Sequence, residues 1–359
     1  MFSNSVLEIN LNIIRDNYLS LKKLISSEVA AVVKANAYGL GATPIIEILK
    51  DAGCNKFFVA NLQEALQIRD LFKDIKIYVL NGIFAGYEKY FFHNNLVPIL
   101  NNLEQVRLFN NLCICKSTKL DAVFHIDTGL NRLGLTESEI DILLGDPSLY
   151  SNISVDYIIS HLACAEEENN EFNIQQFEKF MRLKQGFGDI KASIANSCGI
   201  MLGHHYHLDL VRPGAAIYGF QLNNKMSFLN NPIRLFSKLI QVKEVAKGQK
   251  IGYNLTHEFK KTTIVGTICA GYADGLLRSL GNNGMCYINR LAAPIIGRIS
   301  MDLINVDLSN IPQEHRKIGQ EIDIICEQQT PYMLTKKSGI IGYEVLTSLG
   351  NRYERKYIK

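Results

Sequence analysis

The sequence predicts an α/β protein in which a (β/α)8 barrel is followed by a second, mostly β domain. Three observations lead there. Over residues 1–228, eight short β-branched apolar runs alternate with stretches of helical periodicity, the alternation a (β/α)8 barrel requires. Past residue 229 that alternation stops, and apolar runs punctuated by glycine take over. Reactive side chains also gather directly after the barrel runs, the end at which such barrels carry their chemistry.

In chain order, residues 6–9 have the alternation of a strand, and the segment 1–10 is expected to join the second domain's sheet. The barrel strands are expected at 31–33, 57–60, 76–80, 96–100, 122–126, 156–160, 193–195 and 208–211. Between them, 61–72, 102–112, 137–144 and 172–183 repeat apolar residues at helical spacing. A doubly wound open sheet has the same alternation, because periodicity does not distinguish a closed sheet from an open one. Asn230-Asn231-Pro232 reads as a break, so the domains are expected at 1–228 and 229–359. In the second, strands are expected at 237–245, 262–270, 285–291, 294–303 and 321–326, with one helix at 343–349.

Composition narrows the function classes. Of 359 residues 47% are hydrophobic and 20% charged, enough for sizeable cores, and the net charge of +3 lacks the basic excess of a nucleic-acid binder. No apolar run approaches the roughly 18 residues that span a bilayer, and the N-terminal residues lack a basic segment followed by an apolar one. A cytoplasmic protein is therefore expected, with its eight scattered cysteines reduced and no metal site. His204-His205-Tyr206-His207 has no second ligand set at suitable spacing and reads as surface or structural.

Lys34 leaves the apolar run 30–33. Such a lysine either reaches solvent or, partly desolvated, loses basicity and forms a Schiff base with an aldehyde. Ser197 and Gly214-Ala215 follow the seventh and eighth strands, where barrels of this kind bind phosphate through backbone amides and a hydroxyl. Taken with Tyr38, they suggest a phosphorylated aldehyde cofactor, although ordinary loop chemistry explains each residue taken alone.

Ala31-Val32-Val33-Lys34-Ala35-Asn36-Ala37-Tyr38-Gly39 resembles the cofactor-lysine segment of alanine racemases. Five further ordered blocks are similar to that family: 125–134, 211–219, Gly252-Tyr253, 271–275 and 297–302. The resemblance implies interconversion of L- and D-alanine by two-base proton transfer at Cα of a pyridoxal 5'-phosphate aldimine, supplying D-alanine for peptidoglycan. It assigns Lys34 and Tyr253 as the two bases, with His161 and Arg212 linked to Tyr253. Lys34, Tyr38, Ser197, Arg212, Gly214 and Ala215 would hold the cofactor, and Arg132, Met301 and Tyr272 the substrate. It also implies a homodimer with shared sites. Three departures stand out. His125 occupies the place of a lysine, often carbamylated, that orients the substrate-site arginine, and Leu40 replaces a histidine common after Tyr38-Gly39. The segment Asn351-Arg352-Tyr353-Glu354-Arg355 lacks a tyrosine just before its arginine, a phosphate contact in some members. Competing readings are a broader amino-acid racemase, a decarboxylase (which Arg212 opposes) and a non-catalytic pyridoxal-phosphate carrier.

Overall fold

The computed structural model describes residues 4–338 and 341–359. The chain divides into two compact units, one of Ile14–Ala37 with Gly41–Leu229, the other of Met1–Ile13, Tyr38–Leu40 and Asn230–Lys359.

Strand β1 (Ser5–Asn10) belongs to the second unit. The first unit carries β2 (Glu28–Val29), β3 (Ala31–Val32), β4 (Lys56–Val59), β5 (Lys76–Val79), β6 (Val97–Leu100), β7 (Leu120–His125), β8 (Ile153–Ile159), β9 (Ala192–Ser193) and β10 (Leu210–Val211). From β3 to β9 the strands pair in parallel and in sequence order. Backbone bonds then complete the circle. Asp209 and Arg212 donate N–H to Ala192 and Ala195, while Glu28, Ala30 and Val32 donate to Asp209, Val211 and Pro213. A doubly wound sheet would leave two open edges, so the closed barrel is the correct alternative. Phe58, Tyr78, Val97, Ile99, Val123, Tyr157, Ile159 and Leu210 pack as one buried cluster, with the Phe58 and Tyr78 rings stacked 4.5 Å apart.

Helices Leu62–Leu71, Leu103–Cys115, Glu137–Gly145 and Phe172–Gln185 fall on the expected stretches. The first three start on side-chain caps: Asn61 accepts from Glu64 N–H, Asn102 from Gln105 N–H, and Thr136 from Glu139 N–H. At the N-terminal ends of the strands lies a polar layer. Lys56 pairs with Glu28 and donates to the Tyr157 hydroxyl, and Lys76 bridges Asp121 (2.7 Å) and Asp156 (2.9 Å), the latter also accepting from Tyr78.

In the second unit β11 (Ile233–Val245) is the spine. Around it lie β12 (Lys250–Ile251), β13 (His257–Glu258), β14 (Thr263–Ile268), β15 (Met285–Ile288), β16 (Leu291–Pro294), β17 (Ile304–Asp307), β18 (Glu321–Ile325) and β19 (Glu354–Ile358). β11 pairs antiparallel with β1, β14 and β18, and β1 pairs in parallel with β19. Two expected strands need correction. The run 285–291 is a hairpin that turns on Asn289 and Arg290, both at positive φ. The run 294–303 is not a continuous strand: past a single bridge of Ile295 to Val306 the backbone turns at Gly297 (φ 72), Ser300 N–H bonds Leu303 O, and the next strand starts at Ile304. Helices Pro331–Ser338 and Gly342–Ser348 close the unit. Among the described residues no helix is long and apolar enough to cross a membrane.

Candidate active site

Lys34 stands at the C-terminal end of the first barrel strand, where Val33 still donates to Phe58 O. The next four residues reverse hand: Ala35, Asn36 and Ala37 have φ 53° and Tyr38 has φ 56°. For L-residues that conformation costs about 1–2 kcal/mol each. The turn is held by Ala35 N–H on Glu64 Oε1 (2.7 Å), Ala37 N–H on Val33 O (2.8 Å) and Ala42 N–H on Asn36 Oδ1 (2.8 Å). Burial holds the Lys34 ammonium below the ordinary lysine range, with Arg132 and Arg212 acting in the same direction and Glu64 opposing them.

Arg212 follows β10 and is only 6% exposed. Its Nε donates to Ser193 Oγ (2.9 Å) and its Nη2 to Ser160 O, so the ends of two strands fix the guanidinium, which lies 5.9 Å from the Phe58 ring centre. Burial pushes it down to about 10, which leaves it cationic at neutral pH. His161, after β8, is held well below its ordinary range by burial and by the positive charges of Arg212, Arg132 and Lys34, so it is a neutral imidazole.

His125 ends β7. Its Nδ1 lies 2.7 Å from Asn101 Oδ1, while Asn101 Nδ2 donates to Leu80 O and Ile99 O. Asn101 Oδ1 must therefore accept, and His125 carries its proton on Nδ1. Burial and Arg212 push His125 down to about 3. Beyond it, Asp127 Oδ1 accepts N–H from Gly129 and Asn131 and shapes the loop that presents Arg132, an exposed guanidinium. Ser197 Oγ accepts N–H from Gly214 and Ala216, both at 3.1 Å. Its hydroxyl proton remains, as does the Ala215 N–H, which donates to no group among the described residues.

The barrel thus gathers Lys34, Arg132, His161, Ser197, Arg212, Gly214 and Ala215 at the C-terminal ends of its strands. The other expected site residues, Tyr38, Tyr253, Tyr272 and Met301, belong to the second unit. There Tyr38 meets Tyr343 edge-on, and burial pushes its phenol up to about 12. Tyr253 is 67% exposed, Tyr272 42% and Met301 53%. Tyr272 and Met301 share one construction: Tyr272 N–H donates to Ser300 O and Ala273 N–H to Met301 O. Asp274 accepts from Gly271 N–H, and Arg352 bridges Asp274 to Asp302. A Cβ on Gly275 (φ 91) would come within 2.0 Å of Ser348 O, so only glycine closes that turn. The Met301 N–H donates to no group among the described residues.

Two family profiles cover this chain: alanine racemase N-terminal domain over residues 9–221 and alanine racemase C-terminal domain over residues 233–357. The chain belongs to the alanine racemase family. It is 44% identical to the alanine racemase of Rickettsia canadensis over 98% of this chain and 99% of that one, and 44% identical to that of Rickettsia africae over 98% of each. Among solved structures it is similar to the Bartonella henselae alanine racemase with covalently bound pyridoxal phosphate (35% identity, TM-score 0.95, 99% of each chain). The biosynthetic alanine racemase of Pseudomonas aeruginosa is also similar (29% identity, TM-score 0.91, 100% of each).

Beside the residues legible as family blocks, the candidate site is built with four that sequence reasoning passed over: Glu64, Asn101, Ser160 and Ser193. Ser160 and Ser193 had a usable signal, a polar residue within or ending an apolar barrel run. Glu64 and Asn101 act on groups 29 and 24 positions away, and no local pattern marks them. The three histidines of 204–207 have ordinary contacts: His205 packs on Phe177, His204 meets His207 edge-on, and His207 Nε2 bonds Ile200 O.

Proposed function

We propose that the protein interconverts L- and D-alanine, with Lys34 holding pyridoxal phosphate and serving one face of the substrate Cα, and Tyr253 of a second copy serving the other. Family membership supports the reaction. The observation that carries the residue assignment is the half-buried Lys34 amine at the barrel's C-terminal end, held below the usual lysine range by burial, Arg132 and Arg212. The residues present fit the cofactor: an amine able to be neutral for imine formation, Ser197 O–H with Ala215 N–H for a phosphate, and the fixed Arg212 guanidinium for a ring nitrogen. When bound, pyridoxal phosphate supplies a conjugated ring that takes up the electron pair left at Cα.

Inversion needs a proton removed from one face and delivered to the other, and a single rigid base returns it to the face it left. Lys34 and Tyr253 divide that work. Arg132 and the Met301 N–H bind the substrate carboxylate, and Tyr272 limits the side chain. Arg212 keeps its proton at neutral pH and leaves the ring nitrogen without one, which favours simple reprotonation over transamination. A phenol is a poor base at neutral pH, so Tyr253 needs a positive neighbour to take up a proton. In this reading Arg212 provides that charge, and the neutral His161 is a hydrogen-bonding link rather than a second cation. The working form is a homodimer in the cytoplasm, supplying D-alanine for peptidoglycan. The exposure of Tyr253, Tyr272 and Met301 supports a surface completed by another copy.

The test is racemisation of a panel of amino acids followed by circular dichroism, alongside the visible absorbance of the bound cofactor. Alanine is expected to turn over fastest, and Lys34→Ala to lose both the band and turnover. Comparable rates for bulky side chains would favour the broad racemase. A normal band without racemisation of any substrate would favour the carrier.

A further inference from the structure

We infer that Glu64 is a positioning residue for Lys34: its carboxylate ties the left-handed turn after Lys34 to the end of the neighbouring strand and sets where the amine stands. The inference deepens the proposed function and rests on Lys34 being the cofactor lysine.

Four consecutive non-glycine residues at positive φ do not hold themselves, since L-residues visit that region mostly singly. Packing gives the first half of the turn little help, because Ala35 and Asn36 are exposed. What meets Ala35 is Glu64 Oε1, at 2.7 Å from its N–H, while Oε2 of the same carboxylate accepts from Ala60 N–H at 2.8 Å. Ala60 follows β4, which pairs with β3, so one side chain bridges the exits of two adjacent strands. Glu64 is itself fixed, its own N–H capped by Asn61 Oδ1 at 3.1 Å. Both of its oxygens therefore make charge-assisted bonds to backbone. A chain folded merely to cap this helix needs Asn61 alone, and reaching back to Ala35 adds nothing to the helix.

The same carboxylate also acts on Lys34 electrostatically. Arg132, Arg212 and His161 face the amine from the loops after β7, β10 and β8, and Glu64 is the acid that opposes the two arginines. A lysine that must both take and return a proton needs that counterweight.

The test uses the holoenzyme with Glu64→Gln and Glu64→Ala, each alone and with Ala35→Gly. Three readouts are followed: cofactor release during dialysis, the acid limb of the kcat–pH profile, which reports the substrate complex in which the Lys34 amine is free, and melting temperature. Loss of bonds to a charged group is expected to speed cofactor release by about ten- to a hundredfold in Glu64→Ala, and less in Glu64→Gln, which keeps one acceptor. Both variants should move the acid limb to lower pH, because the amine loses its nearby anion. Ala35→Gly, which adopts positive φ without the Cβ penalty, should recover much of the cofactor retention in the Glu64→Ala background. Release rates and pH profile equal to the parent would overturn the inference. So would a uniform loss of thermal stability with no shift of the limb and no rescue by glycine. A failure of the Lys34 assignment looks different, since the parent's absorbance band would then survive Lys34→Ala.

Discussion

Asn101 fixes the proton on His125, and burial beside Arg212 keeps the ring from gaining a second one until about pH 3. The ordinary histidine value is near 6.5, so between 6.5 and 3 the unfolded chain takes up a proton that the folded chain refuses. Stability contributed by neutral His125 is therefore complete above 6.5 and declines as pH falls through that window. His125→Asn keeps a donor for Asn101 and removes the titration. In urea unfolding, the stability lost between pH 7.5 and pH 5 should shrink by about 2 kcal/mol in the variant; an unchanged loss would contradict the assignment. At this scale Lys34, Arg132 and Arg212 were legible as strand-end side chains in recognisable blocks. The His125 tautomer was not, because it is set by Asn101, just past β6, which folding brings to 2.7 Å.

Among elements, the strand ends carry two kinds of polar construction. At the C-terminal ends Ser160 and Ser193 hold Arg212; at the N-terminal ends Lys76 joins Asp121 and Asp156. Lys76→Met should leave the exposed Asp121 and half-buried Asp156 carboxylates without their shared cation and cost about 1 kcal/mol in denaturant unfolding, with racemisation little changed. A variant as stable as the parent would show that solvent already screens the pair. The Glu28 and Asp121 carboxyls in this layer are held below their usual range by their lysine partners against burial. Their contribution is present above the ordinary carboxylate range and is lost as pH falls through the lower folded values. In the second unit, Asp274 joins Gly271 N–H to Arg352 and so supports the loop of Tyr272 and its neighbour Met301. Asp274→Asn should lower kcat/KM by about tenfold, through the loss of a charge-assisted bond, with cofactor binding unaffected; cofactor loss in this variant would contradict a role confined to that loop. Periodicity located the long helices well because their caps, such as Asn61 and Thr136, lie in the sequence itself. It failed at 285–303, where apolar residues continue through a turn at Asn289-Arg290 and another at Gly297. Hydrophobicity there reports burial rather than strand direction.

For the whole molecule, the eight expected runs meet β3 to β10 in order, while the short β2 was not foretold. Closure needed the bonds from Asp209, Val211 and Pro213 back to the first strand, which no local pattern encodes. The proposed sharing of sites between two copies makes a specific demand on assembly. When Lys34→Ala and Tyr253→Phe chains are mixed and allowed to exchange, each hybrid dimer contains one site with both bases intact. Half the dimers in an equal mixture are hybrids, so activity should return to about a quarter of the parent's. No recovery after exchange would place both bases in one chain's own site or remove one of them from the chemistry.

Solvent deuterium entry at Cα, followed separately for L- and D-alanine in Tyr253→Phe, tests most directly the division of the two faces between Lys34 and Tyr253. The expected result is loss of racemisation with deuterium still entering one enantiomer, the one whose proton faces Lys34. Racemisation at the parental rate, or equal exchange into both enantiomers, would contradict it.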